Sequence, residues 1–589
     1  MAATISTQVR GKEGSSIMHR SVRLGLACIF FVAPAVASAA SGSFSTLTYN
    51  IAGLPQGLSS APSDRQLSTE IISCYVNPID IVHVQEDFNY HAALYDTCDS
   101  HPYRSPTMGG AGIGSGLNIL SRFSYDDWER VTWNDRNGVD VLTPKGFTMA
   151  RVRLEEGVFV DVYNLHTQAQ TADADLAARR KNILQLVGYI ESVSAGRAVI
   201  VMGDTNTRYT RGGDNMWELL NRGFTDVWVK NIRGGSVPVP GANALTCGDQ
   251  PYTGYDCEIV DKVLFRGNGY ITLDSTSYAI RGDAKNPAGQ DLSDHPPVQT
   301  NFTYSTDPNF QLSDAWGGPH GDAFDDVGLL PDNPVVRILG IRSGDRLDHV
   351  ETTLSNGYVF SHGGSGGSAT SLTLSAGEYL RSATLCSGEK DGHTRVSYAQ
   401  LSTNTGRTLT GGTTTSSCTT YTAPAGFQIV AFHGRSGGEV DRLGMVYARR
   451  QAAEPYPTSY VQIINRASGR CLDIAGATAT DGTVIDQWEC NGGDWQKWNY
   501  DAKTGLIRSK QDPRYCLDNG GQFSNGANLV LWPCVGNANQ RFSVDTSEGK
   551  IRMRSLPDQM VDGYGTFNGA VVGTWSFWGG QNQLWNFVR

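Results

Sequence analysis

The sequence predicts a multidomain chain whose second half is entirely β-structure, on three observations. At 589 residues it is too long for a single hydrophobic core. After Tyr304 charges thin out, and Gly, Ser and Thr dominate between short alternating apolar stretches, which is an all-β pattern. From about Pro455 the chain repeats itself: Gln496-Lys497-Trp498, Gln540-Arg541-Phe542 and Gln583-Leu584-Trp585 recur about every forty-three residues. Cys471-Leu472-Asp473 likewise returns as Cys516-Leu517-Asp518 and, without the cysteine, as Val561-Asp562. A threefold repeat of that length reads as one supersecondary unit used three times.

The N-terminal stretch 1–39 reads as a secretory signal. Met18-His19-Arg20 and Arg23 supply the charge, Leu24 to Val36 the apolar run, and Ala37-Ser38-Ala39 the small residues of a cleavage site. The run is too short for a permanent membrane anchor. Either Met1 or Met18 remains open as the start. Export agrees with the cysteines. Cys28 would leave with the signal, and the other ten fall into close couples: Cys74/Cys98, Cys247/Cys257, Cys386/Cys418, Cys471/Cys490 and Cys516/Cys534. Five local disulfides are expected, each contributing about 2–4 kcal/mol. No Cys-x-x-Cys spacing is present, which argues against a zinc ribbon.

The chemistry is concentrated in the first half. Phe44 to Tyr49 runs into Asn50, Asp80 to Gln85 into Glu86, Val158 to Leu165 into His166, and Ala198 to Met202 into Gly203-Asp204-Thr205-Asn206. Asp261 and Asp294-His295 follow. Polar groups at strand ends can converge on one cleft without entering the core. Carboxylates, carboxamides and imidazoles without cysteine suit a hard cation, Mg²⁺ or Mn²⁺. With a histidine and a carboxylate such a cation can neutralise phosphoryl oxygens, activate water and stabilise a leaving oxygen.

Thr48-Tyr49-Asn50, Gln85-Glu86, Gly116 to Arg122, Asn164-Leu165-His166, Gly203 to Asn206, Val260-Asp261 and Ser293 to Pro296 together resemble the motifs of the endonuclease/exonuclease/phosphatase superfamily. The resemblance covers about 43–304 and implies a deoxyribonuclease I-like α/β four-layer sandwich. Lys145-Gly146-Phe147, followed by Leu165 to Ala169, is similar to the neutral sphingomyelinase C branch. Carried over, the resemblance implies that Glu86, helped by Asn50 and Asp294, holds the cation and that Lys145 binds phosphate. It implies that His295 is the general base oriented by Asp261. Asp204 and Asn206 would position the nucleophile or a second ion, and His166 would donate to a phosphoryl oxygen.

Two further resemblances follow. Ala315-Trp316-Gly317-Gly318 with Phe324-Asp325-Asp326, and Phe432 to Gly444, are similar to a jacalin-related lectin, a β-prism, over about 307–450. That family's sugar loop, Gly-x-x-x-Asp, would be Gly437 to Asp441, helped by Gly317 or Gly318. The repeats over about 455–589 resemble a ricin B-type β-trefoil. Its sugar sites would use Asp518, Trp532, Asn539 and Gln540 in the second repeat, and Asp562, Trp575, Asn582 and Gln583 in the third. The first repeat has Asp473, Trp488 and Gln496, but Trp495 stands in place of the asparagine. An aspartate fixes hydroxyls while an indole offers the sugar ring an apolar face.

The resulting expectation is a secreted Mg²⁺- or Mn²⁺-dependent phosphodiesterase acting on a phospholipid, sphingomyelin favoured, and targeted to cell-surface or cell-wall glycans by two lectin modules. A secreted endonuclease is the enzymatic alternative. It would need a basic groove for nucleic acid, against which the net charge of −10 counts. A glycan-binding lectin or adhesin with an inactive phosphoesterase part is the alternative from another class.

Overall fold

The strand Ser41–Asn50 shows how the first part is built, because it is buried on both sides. Leu47 and Tyr49 share a core with Ile72 and Val76 of the helix Arg65–Val76. Phe44 instead stacks on Phe302 at 5.5 Å in the core shared with the second sheet. The strand is not apolar throughout: Thr46 and Thr48 are fully buried too, and their hydroxyls are satisfied, Thr46 donating to Thr300 O at 3.3 Å and Thr48 accepting from Gln85 at 3.0 Å.

The computed structural model describes residues 39–108, 114–247, 256–450 and 460–589. The expected secretory segment, apart from Ala39, lies outside the described residues, as does Cys28. One sheet has the order Ile271–Ser275, Val298–Thr306, Ser41–Asn50, Ile81–Gln85, Asn118–Ser121, Tyr103–Arg104, with Ala279–Ile280 added beside Val298–Thr306. The other runs Tyr125–Thr132, Gly146–Glu155, Val158–His166, Ala198–Asp204, Asp261–Arg266, Thr225–Asp226. Phe265 of the second meets Phe302 of the first edge-on at 5.3 Å.

Helices cover the outer faces. Arg65–Val76 begins at Asp64, whose carboxylate accepts from the Leu67 amide. Asp173–Val193 buries Ile183, Leu186, Val187 and Ile190, an i, i+3, i+4, i+7 stripe, in the core of the second sheet. Helix, sheet, sheet, helix is the four-layer α/β sandwich expected. Two parallel pairings position the site. Ser41–Asn50 runs parallel to Ile81–Gln85, and Val158–His166 runs parallel to Ala198–Asp204 with His166 opposite Asp204. Their carboxyl ends therefore emerge together.

From Phe310 onward the described residues form antiparallel β-structure broken by single 3-10 turns. In the β-prism part, Val359–Gly363, Leu347–Leu354, Val336–Ser343 and Ser368–Thr373 make a four-stranded sheet. A larger sheet is built around the long hairpins Leu380–Lys390/His393–Thr403 and Phe427–Ser436/Val440–Arg449. The β-trefoil part shows its repeat in three 3-10 turns, Asp494–Gln496, Ala538–Gln540 and Gln581–Gln583. Each is followed by a buried aromatic, Trp498, Phe542 or Trp585. The indoles of Trp498 and Trp585 donate to Leu472 O and Val561 O, both at 3.0 Å.

All five expected disulfides are present, Cys74–Cys98, Cys247–Cys257, Cys386–Cys418, Cys471–Cys490 and Cys516–Cys534. The described residues form one compact unit. Arg153 grips Asp314 through two 2.8 Å bonds, Arg435 pairs with Asp127 at 2.9 Å, and Tyr358 donates to Asn499 at 2.8 Å. Among the described residues no helix is long and apolar enough to cross a membrane.

Candidate active site

Asn50, at the end of its strand, sends one amide nitrogen to two carboxylates: Nδ2 donates to Glu86 Oε1 at 3.1 Å and to Asp204 Oδ2 at 3.2 Å. Its Oδ1 accepts from the Ala52 amide. Glu86 sits at φ 59° and Asn206 at φ 49°, a region costly for residues with a side chain. Gly116 makes room for the first: a Cβ there would lie 2.9 Å from Glu86 Cα.

The opposite wall holds the histidines. His295 Nδ1 lies 2.8 Å from Asp261 Oδ2, and its Nε2 is 3.8 Å from Asp204 Oδ2. Burial opposes the charged ring, but the carboxylates of Asp261 and Asp204 outweigh it and hold the His295 pKa well above the ordinary value. His166 behaves oppositely. Burial, helped by Lys145 and His295, pushes its pKa well down, so its 3.2 Å approach to Asp204 is a contact of a neutral ring rather than an ion pair. Lys145 Nζ sits 3.0 Å from His166 Nε2 and 2.8 Å from Asp140 Oδ1. Asp140, on the 3-10 turn Gly138–Leu142, is a partner that carried no sequence signal.

Among the described residues Asp204, Asp261 and His295 bring one ligand atom each within 4.8 Å of one another. Glu86 is joined to this trio through Asn50 rather than belonging to it. Burial raises the pKa of both Glu86 and Asp204, and Asp261 Oδ1 is buried without a partner. Concentrated carboxylate charge of this kind fits a hard divalent cation with oxygen ligands. Asn206 donates its backbone amide to Asp204 Oδ1 at 3.0 Å and its side-chain amide to Thr167 O at 3.3 Å. Asp294 is exposed, and its carboxylate accepts from Ser60 and Ser293.

Arg65 was not singled out in the sequence, yet it ties the site together. Fully buried, it donates to Ala52 O, Ile51 O and, through two nitrogens, Leu292 O. Ser293 adds a 2.6 Å bond to Asn50 O. The loop carrying Asp294 and His295 is thus fastened to the loop after Asn50. A lone arginine at the start of a helix gives no such signal, because its carbonyl partners come from distant segments.

In the β-prism part Gly437 is exposed and Asp441 buried. The glycine facing the Asp441 carboxylate is Gly321, at φ 72°, where a Cβ would stand 2.5 Å from Oδ2. This differs from the expectation of Gly317 or Gly318. Gly318 N donates to Asp441 O at 2.8 Å, and a Cβ on Gly317 would strike the same carbonyl, so both pack on the Asp441 backbone. In the trefoil, Asp518, Trp532 and Asn539 line one cavity, and Asn539 Nδ2 lies 2.9 Å from each Asp518 oxygen. Gln540 is different. Fully buried, it bonds Pro533 O and the Val535 and Gly536 amides, and its side chain also acts on the Asp518 carboxylate, so it braces both the loop and the aspartate that lines the cavity. Asp562 accepts from Asn582 at 2.6 Å and Gln583 at 3.0 Å beside the half-exposed Trp575. In the first repeat Asp473 stands opposite Asp486 on the neighbouring strand. Burial and that like charge push its pKa up to about 7.

Two expectations follow from this geometry. Arg65→Met should lower the unfolding free energy by about 2–4 kcal/mol, since several buried carbonyls lose their donor. Arg65→Lys should recover only part of the loss in denaturant titrations, and an unchanged midpoint for Arg65→Met would contradict the fastening role. Asp473 holds in the folded state a proton that the unfolded chain releases. Its contribution is therefore most favourable below about pH 4 and is lost as pH rises towards 7, by on the order of 1–3 kcal/mol. Asp486→Asn should raise Tm at pH 8 but hardly at pH 4, and an equal change at both pH values would rule this out.

Comparison with known proteins agrees with each part. Residues 59–231 match the model of endonuclease/exonuclease/phosphatase family 2, residues 313–446 the jacalin-like lectin domain, and residues 459–585 the ricin-type β-trefoil lectin domain. The first match includes Glu86, His166, Asp204 and Asn206, whereas Asn50, Asp261, Asp294 and His295 fall outside it. Sphingomyelinases of Mycobacterium bovis and Mycobacterium tuberculosis are 39% identical over 275 residues, 45% of this chain and 54% of theirs. The chain thus spans about half the length of these curated relatives. The solved structure of SmcL is 17% identical, with a TM-score of 0.32, over 45% of this chain and 99% of that one. A mannose binding jacalin related lectin from Ananas comosus is 25% identical, with a TM-score of 0.22, over 24% of this chain and 99% of its own. Part by part, the chain resembles a sphingomyelinase-like domain of the endonuclease/exonuclease/phosphatase superfamily, a jacalin-like lectin domain and a ricin-type β-trefoil lectin domain.

Proposed function

We propose that the protein is a secreted, Mg²⁺- or Mn²⁺-dependent phosphodiesterase that hydrolyses a phospholipid headgroup, sphingomyelin giving ceramide and phosphocholine. Its parts at about 43–304, 307–450 and 455–589 would act as catalyst and two glycan-binding modules. The observation that carries this reading is the His295–Asp261 pair facing Asp204, with Asn50 linking Asp204 to Glu86. His295 would take the proton of the attacking water at Nε2, with Nδ1 held by Asp261. Lys145 and the His166 ring would receive the phosphoryl oxygens, and Asp204 and Asn206 would position the nucleophile or a second ion. A divalent cation held by Glu86 with Asn50 and Asp294 would neutralise those oxygens and part of the carboxylate charge that keeps His295 protonated.

Lipid is favoured over nucleic acid by two features. The relatives at 39% identity are sphingomyelinases. Val139, Val141 and Leu142 are 71%, 54% and 79% exposed on the turn whose Asp140 holds Lys145, an apolar edge beside the site. The endonuclease reading would instead require a basic groove, and the chain carries a net charge of −10.

Full-length protein with Mg²⁺ should therefore cleave sphingomyelin in preference to phosphatidylcholine and DNA assayed side by side. EDTA should abolish turnover reversibly, and Glu86→Gln should leave less than about one per cent. His295→Ala should cost roughly 10²–10⁴-fold, and an unaltered pH–rate profile in that variant would remove it as the base. DNA cleavage with intact sphingomyelin would favour the endonuclease. Asp518→Ala with Trp532→Ala should reduce activity on glycan-bearing cells while sparing detergent-dispersed substrate, because tethered sugar sites raise local concentration without touching the transition state. Equal activity on both would refute targeting through the trefoil.

A further inference from the structure

Between the α/β part and the trefoil lies a cavity of about 340 Å³ whose wall carries Arg197, Arg222, Arg266, Arg541, Arg554 and Lys503 and no carboxylate. In a chain of net charge −10 that concentration of positive charge needs a reason. Three of the six are balanced from behind. Arg222 pairs with Glu191 at 2.9 Å and Glu218 at 2.7 Å, Arg197 with Asp325 at 3.4 Å, and Lys503 with Asp307 at 3.1 Å. Arg266, Arg541 and Arg554 have no carboxylate within 4.0 Å among the described residues.

The backbone holds these three in place without neutralising them. Arg554 donates to the carbonyls of Phe542, Lys503 and Ala502, and Arg541 to those of Gly536 and Thr504. Arg266 donates only Nη1, to Arg222 O at 3.0 Å, and lies over the Phe224 ring at 4.6 Å. Nε and Nη2 of Arg266 and Nη2 of Arg541 make no hydrogen bond to the described residues. Burial draws both guanidinium pKa values down to about 10; Glu191 opposes this at Arg266 more than Arg222 adds to it, whereas at Arg541 the neighbouring Arg554 and Arg266 reinforce it against Asp501.

Interface stapling alone would account for the carbonyl bonds, but it does not require charge gathered around a space that lacks a counter-charge. Guanidinium forks fixed in orientation, with donors left over, match tetrahedral oxyanions, which accept two bonds from one fork. The volume suits a small molecule rather than a polymer segment. We propose that this cavity binds a phosphate or sulfate group, either as the free ion or as an ester on a small sugar. The site is separate from the hydrolytic cleft and its test requires no turnover, so it stands or falls independently of the activity proposed above.

Calorimetric titration of the full chain tests it, at constant ionic strength and with EDTA present to keep cation-held phosphate out of the cleft. Inorganic phosphate, inorganic sulfate, galactose 6-sulfate and galactose serve as ligands. At least one oxyanion should bind with a dissociation constant below about 1 mM. Arg266→Gln should weaken that binding tenfold or more, with unchanged far-ultraviolet circular dichroism and an unchanged thermal unfolding midpoint. Galactose, which lacks the oxyanion, serves as the control, and its heat of titration should be the same in the variant and the wild type. Galactose 6-sulfate binding more tightly than free sulfate would identify the ester as the source, and equal affinity would identify the free ion. Arg541→Lys gives a second variant that keeps the charge but loses the fork, and it should also weaken binding. Absence of oxyanion binding in the wild type, or binding unaltered by both substitutions, would overturn the proposal.

Discussion

The two sheets of the α/β part are joined beneath the cleft by hydrogen bonds between buried amides and a carboxylate, and the position of each candidate catalytic group follows from that junction. Asn50 reaches Asp204 across the gap, and Gln85 donates to Asn164 at 2.7 Å. Asn164 in turn donates to Val84 O and Asn118 O. Such bonds are strong where water is excluded, and leaving one unmade is costly, so they set the register of one sheet against the other. A one-residue slip in either sheet would turn these amides away and carry Glu86 or His166 out of the cleft.

The interfaces that unite the three parts use arginine in two ways. Facing the β-prism, guanidinium groups meet carboxylates across the boundary, as in Arg153 with Asp314 and Arg435 with Asp127. Facing the trefoil, Arg541 and Arg554 bond to carbonyls of their own part and, among the described residues, form no ion pair within 4.0 Å. The first boundary is electrically closed. The second gathers positive charge around the cavity.

Within the trefoil each repeat divides its labour between depth and surface. Gln496, Gln540 and Gln583 are fully buried and tie loops to backbone, whereas Trp488, Trp532 and Trp575 are 44%, 43% and 43% exposed. The aspartate between them depends on its neighbour. Asp518 and Asp562 receive the amides of Asn539 and Asn582. Trp495 removes that amide from the first repeat, and Asp473 faces Asp486 instead.

Much of this was legible in the sequence because its signals are local. The cysteine couples, 10 to 32 residues apart, led to the disulfides, and the strand-end motifs around Asn50, Glu86, His166 and Asp204 and the Gln-x-Trp or Gln-x-Phe repeat carried the resemblances that implied the α/β sandwich and the trefoil. What the sequence could not carry was partnership across long separations. Arg65 fastening Leu292, Asp140 holding Lys145, Gly321 facing the Asp441 carboxylate and Gln540 turning inward are set by where distant segments meet. The arginines around the interface cavity belong to the same class: Arg266 and Arg541 are 275 residues apart, from 266 to 541, and only packing of the trefoil against the sandwich brings their charges to one wall. Local composition determined which chemistry was available, and the tertiary structure decided which groups share a space, because electrostatic and hydrogen-bond energies depend on distance in space and not along the chain.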